Sequence, residues 1–71
     1  MDNRIREIRH EKGMTLKEVI NSIDINISEP HLSNIEVGRG GISIKLLVEL
    51  SKLFNVSTDY ILKRSNIKEI E

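Results

Sequence analysis

Four hydroxyl side chains, Thr15, Ser28, Ser43 and Ser57, each stand just ahead of a stretch whose apolar residues recur at helical spacing. A Ser or Thr in that position accepts a hydrogen bond from a backbone N–H that the helix itself leaves unsatisfied, so each marks a helix start. Residues that stop helices stand between them. Gly13 and Gly38 adopt the left-handed conformation without steric cost, and Asn55 tolerates it. A chain punctuated this often can hold only short helices. Its fold is confined to several of them packed around one core.

The pattern within each segment supports that reading. Asn3 or Asp2 is expected to cap a first helix that carries Ile5 and Ile8 and ends at Gly13. Thr15 with Glu18 three residues on has the spacing of a capping box, and Val19, Ile20 and Ile23 form the apolar face behind it. The run Asp24-Ile25-Asn26-Ile27 alternates polar and apolar residues. At four residues between two helix signals, it reads as a connecting turn rather than a strand. Ser28 opens a third helix reaching Val37, with Pro30 in its first turn, where a missing N–H costs little, and with Leu32 and Ile35 facing inward. After the Gly40-Gly41 loop, the fourth helix is expected to turn Ile44, Leu47, Val48, Leu50, Ser51, Leu53 and Phe54 toward the core. Ser57 caps a short fifth helix with Tyr60, Ile61 and Leu62. The prediction is a compact all-α domain of five helices.

Composition narrows the possibilities. Seventy-one residues make one domain. The chain has no cysteine, so neither a disulfide framework nor a zinc–thiolate site can staple it. Stability must come from aliphatic packing, since Phe54 and Tyr60 are the only aromatics. Eleven Lys and Arg balance eleven Asp and Glu, so any attraction for an anionic partner depends on where charges are placed. No apolar run approaches the roughly 20 residues that span a bilayer, and Met1-Asp2-Asn3-Arg4 opens no signal-peptide core. The expected location is the cytoplasm. His10 and His31 lie on separate helices, and no nucleophile–base pair or phosphate-cradling glycine loop is present. No enzymatic activity, metal, cofactor or small-molecule ligand is expected.

Three blocks of residues occur in order. They are Arg4-Ile5-Arg6-Glu7-Ile8-Arg9 with Lys12-Gly13-Met14-Thr15 and Glu18-Val19; Leu32-Ser33-Asn34-Ile35-Glu36 with Gly38-Arg39; and Ser43-Ile44-Lys45-Leu46-Leu47 with Leu50, Leu53-Phe54-Asn55-Val56-Ser57 and Tyr60-Ile61-Leu62. In order and spacing they resemble the Cro/C1-type helix-turn-helix family, the lambda-repressor-like (XRE) DNA-binding domains. The resemblance covers nearly the whole chain and implies a domain over residues 1–64, followed by a tail at 65–71.

The resemblance implies that the second and third helices form the helix-turn-helix and that the third enters the major groove of duplex DNA. Its outward residues Glu29, Pro30, Ser33 and Asn34 then become the base readers. Asn34 is the best suited chemically, because an amide can pair bidentately with adenine. Phosphate contacts fall to Thr15, Leu16 and Lys17 at the start of the second helix, to His31, and to Arg39, Ser43 and Lys45 around the start of the fourth. Arg9 and Glu36 match positions that form a structural ion pair in the family. A homodimer on a pseudo-palindromic operator is implied, acting as a transcriptional repressor. Ile67 and Ile70, with Tyr60 or Ile61, are the expected dimer seam.

This chain departs from the family's pattern in and around the turn. Leu16 replaces a Gln that holds a phosphate, Ile20 replaces a small residue, Asp24 stands nearest to the turn glycine, and the segment is about two residues longer. A wider turn is expected. No Lys or Arg lies between Ile20 and Gly38, whereas Asp24, Glu29 and Glu36 are negative. That acidity makes a protein-interaction module, antitoxin-like or polymerase-binding, the alternative use of the fold.

Overall fold

Hydrogen bonds at the helix ends divide the chain where its caps stand. The computed structural model describes residues 2–69. Among them are α1 (Ile5–Glu11), α2 (Leu16–Ser22), α3 (Glu29–Glu36), α4 (Ile44–Phe54) and α5 (Thr58–Ile61), with no strand. Thr15 and Glu18 close the reciprocal capping box of α2, at 3.1 and 2.9 Å. Ser28, Ser43 and Ser57 each accept the N–H three residues on, from His31, Leu46 and Tyr60. At the other ends, Gly13 (φ 67°) and Gly38 (φ 89°) reverse the chain in the left-handed region. The residue after each then bonds back to an orphan carbonyl, Met14 to Arg9 and Arg39 to Asn34. Asn55 ends α4 in the same conformation, at φ 55°.

The start of α1 differs from expectation. Its cap position is Arg4, which makes no side-chain cap bond. Asn3, one residue earlier, accepts the N–H of Ile5 at 3.1 Å and donates to the Ile35 carbonyl at 2.8 Å. It thereby serves α1 and ties the chain start to α3.

The core takes Ile5 and Ile8 from α1, Val19 from α2, Leu32 and Ile35 from α3, and Leu46, Leu50 and Phe54 from α4. Burial of each such side chain contributes roughly 1.5–3 kcal/mol. On α4 the expected stripe needs correction. Ile44 is 81% exposed and Val48 is 38% exposed, while Leu46 is buried. A helix turns about 100° per residue. Leu46, Leu50 and Phe54 therefore share a face, and Ile44 and Val48, each two residues from Leu46, point to the opposite side.

The long connection between α2 and α3 is packed rather than looped out. Ile27 is buried, and Ile20, Ile23 and Ile25 pack against the core. Glu49 of α4 accepts the N–H of Asp24 at 3.0 Å. The surplus residues thus supply core instead of merely spanning a gap.

The tail folds back onto the domain. The Arg4 guanidinium donates to the carbonyls of Tyr60 and Ser65 and to the Asn66 side chain, and it sits 4.2 Å from the centre of the Tyr60 ring. Ser57 bonds to the carbonyls of Lys68 and Ile67 through its N–H and hydroxyl, at 2.7 and 2.9 Å. Lys63 pairs with Asp2, and Lys68 with Glu11. No helix among the described residues is long and apolar enough to cross a membrane.

Candidate nucleic-acid interface

Helix α3 presents two chemically different sides. Leu32, Ile35 and Glu36 are buried, and Glu29, Pro30, His31 and Asn34 are exposed, with Ser33 half-buried. The 3.6-residue period places the four proposed base readers, Glu29, Pro30, Ser33 and Asn34, away from the core. Ser28 fixes where the helix begins, so its first turn is held in place by a bond of 3.2 Å to the His31 N–H.

The orientation of α3 is set from behind by charge. The Glu36 side chain is fully buried. It accepts from Arg9 Nε at 2.8 Å and Arg9 Nη2 at 3.1 Å, a two-point contact that fits the planar guanidinium. Arg9 also donates to the Met14 carbonyl, linking α1, the start of α2 and α3. The hydrogen bond to Glu36 raises the Arg9 pKa further above its ordinary value, against the opposing effect of burial. Arg6 adds a third contact at 3.2 Å, and Asn3 holds the Ile35 carbonyl. Sequence reasoning passed over Arg6 and this second role of Asn3. The only signal for Arg6 was its place in the Arg4-Ile5-Arg6-Glu7-Ile8-Arg9 block, three residues before Arg9 and hence on the same side of α1.

The remaining proposed contact residues lie at helix starts, except Arg39, which lies in the loop between α3 and α4. Thr15 and Lys17 are exposed and Leu16 is half-buried against the core; Arg39, Ser43 and Lys45 are all exposed. A cleft of about 250 Å³, lined by Ile25, Asn26, Ile27, His31, Gly41 and Ser43 among others, brings the first turn of α3 alongside the start of α4. The Thr15 N–H and hydroxyl are committed to Glu18, whose carboxyl pKa is lowered first by the backbone bond and then by the side-chain bond.

Charge pairing separates these positions from much of the surface. Arg4, Arg6, Arg9, Lys52, Lys63 and Lys68 each have a carboxylate partner. Among the described residues Lys17, Arg39 and Lys45 have none, and the same holds for Lys12 and Arg64. Of these five, Lys17 and Lys45 stand in the first turns of α2 and α4, and Arg39 lies in the loop between α3 and α4.

The expected dimer residues are placed differently. Ile61 is fully buried and Tyr60 nearly so, because α5 closes the core against the start of α1, where the Arg4 N–H bonds the Ile61 carbonyl. They have almost no surface left for a second copy. Ile67 is 53% exposed, and Ile70 lies outside the described residues.

The model of a family described as helix-turn-helix matches residues 5–61. The chain is 35% identical over 69 residues to the HTH-type transcriptional regulator ImmR of Bacillus subtilis, covering 97% of this chain and 53% of that protein. It is 32% identical over 60 residues to the HTH-type transcriptional regulator DdrOP3 of Deinococcus deserti, covering 84% of this chain and 45% of that one. The chain thus spans about half the length of the curated relatives it matches. No solved structure matches it.

Proposed function

The chain belongs to the Cro/C1-type (XRE) helix-turn-helix family, and from that premise we propose that it binds duplex DNA sequence-specifically as a cytoplasmic regulator of transcription. Helix α3 enters the major groove, which is about 12 Å wide and accepts a helix. Asn34 reads adenine, and Glu29 accepts from the cytosine amino group, with Pro30 and Ser33 filling the groove between them. Lys17, Arg39 and Lys45 neutralise phosphates on either side, helped by His31, Ser43 and the backbone N–H of Leu16, whereas Thr15, assigned to phosphate from the sequence, spends its N–H on Glu18.

One observation carries this reading. Lys17 and Lys45, in the first turns of α2 and α4, and Arg39, in the loop before α4, have no acidic partner among the described residues although the chain has no net charge. A surface that keeps its positive charge uncompensated is suited to phosphate, where binding releases counterions. Two copies bind half-sites about 34–36 Å apart, and the chain represses by occupying a promoter. The relatives' names, both HTH-type transcriptional regulators, support the regulatory role.

The test is a titration of labelled duplex over a salt series, followed by selection of bound sequences from a random pool. A logarithm of affinity that falls linearly with log salt concentration, with a recovered palindromic motif, is the expected result. A second reading, a module that docks on another protein, is favoured by the exposed Glu29 and the lack of any Lys or Arg on α3. Absence of duplex binding even at low salt would select it.

A further inference from the structure

Ile44 is out of place for a residue that only closes a helix turn. At 81% exposure it is the most exposed of the large apolar residues described, ahead of Ile67 and Val37. It is the first residue of α4 and follows the capping Ser43. Lone apolar residues on a surface need no explanation, but this one has particular neighbours. Arg39 and Lys45 are exposed and lack acidic partners among the described residues. Glu49, the acid on the same helix, is drawn away to the Asp24 N–H and to Lys52.

Gly41 adds an independent observation. Its φ is not positive, unlike that of Gly40, so the backbone there does not require glycine. A Cβ at Gly41 would meet nothing within 4 Å. Nothing inside the protein excludes a side chain at this point. A glycine here leaves room for another molecule's backbone to come close.

These observations fit one occupant. The edge of a DNA groove alternates phosphates with deoxyribose rings, whose C–H surface is apolar. We propose that Ile44 packs on a deoxyribose of the DNA backbone, between phosphates held by Arg39, Ser43 and Lys45, with Gly41 keeping the approach clear. The inference rests on the DNA-binding reading above and adds a contact that is apolar and independent of base sequence. Val48, one turn further along the same side of α4, lies beyond it and makes no DNA contact.

The experiment measures binding of a short labelled duplex of mixed sequence to the whole chain, across a salt series, with circular dichroism melting as a folding control. Ile44→Ala should melt like the parent and bind roughly threefold to tenfold more weakly. The slope of log affinity against log salt should be unchanged, since no charge is removed. Val48→Ala should bind like the parent, and Gly41→Leu should bind more weakly without melting earlier. Parent-like binding by Ile44→Ala overturns the inference while leaving the DNA reading intact. If Ile44→Ala and Val48→Ala weaken binding together and sedimentation shows a shift from dimer to monomer, a second copy covers this side and the inference also fails. No binding by the unaltered chain at low salt overturns the DNA reading itself.

Discussion

The flank built from α1, α5 and the tail uses its charges in a way that the surface at the starts of α2 and α4 does not. On the flank, Arg4, Arg6, Arg9, Lys63 and Lys68 are each joined to a carboxylate, with Lys12 and Arg64 as the exceptions. At these helix starts and in the loop before α4, Lys17, Lys45 and Arg39 stand without acids among the described residues. Both regions are rich in cations, so composition alone does not distinguish them. The difference teaches that a protein of zero net charge can still offer a positive surface, if most of its remaining cations are occupied with holding the fold.

The largest effect should come from the acid of α3 that the α1 cations of the first region hold. Glu36→Ala leaves Arg9 buried without its partner, a change that costs about 3–5 kcal/mol. A small domain of this kind has only about 5–15 kcal/mol in total. Urea denaturation should show a much lower midpoint, and an unchanged midpoint would break the assignment of this flank to structure. In the second region, Arg39→Ala with Lys45→Ala should leave the melting temperature almost unaltered. Duplex affinity should fall about tenfold or more, and the salt slope should shrink by roughly one for each phosphate no longer neutralised. A drop in stability in that double variant would erase the contrast.

Arg4→Ala should cost about 1–2 kcal/mol, from its carbonyl bonds and its place over the Tyr60 ring. Hydrogen exchange at the Ser57 N–H should quicken as residues 65–68 lift off, with duplex affinity unchanged. The smallest effect concerns Glu18. Its folded pKa lies below the ordinary 4.5, so its contribution to the α2 cap is complete above that value and is lost as pH falls through the lowered one. Acid titration should show a slight loss of stability below pH 4.5, absent in Glu18→Gln.

Much of this was legible in the residues. Thr15, Ser28, Ser43, Ser57, Gly13, Gly38 and Asn55 act where the sequence placed them, because a cap or a left-handed stop involves groups within a few residues of one another. The exposed side of α3 followed from Leu32 and Ile35 by helical periodicity. Other features were not legible. Ile44 and Val48 look like core residues in a row of aliphatics. Which of them is buried depends on how α4 is rotated against helices distant in the chain, and that rotation put Leu46 inside instead.

The same distinction runs through the molecule. The sequence by itself determined the number of helices, their ends, and the inward stripe of α3, since those depend on hydrogen bonds and periodicity over a single turn. Only the tertiary structure decided that Tyr60 and Ile61 are buried in the core, and that Arg6 joins Arg9 on Glu36. It also decided that Arg4 binds the tail and that Lys17, Arg39 and Lys45 remain without acidic partners among the described residues. Each of these depends on distances between residues far apart in the chain, and such distances exist only once the helices have packed.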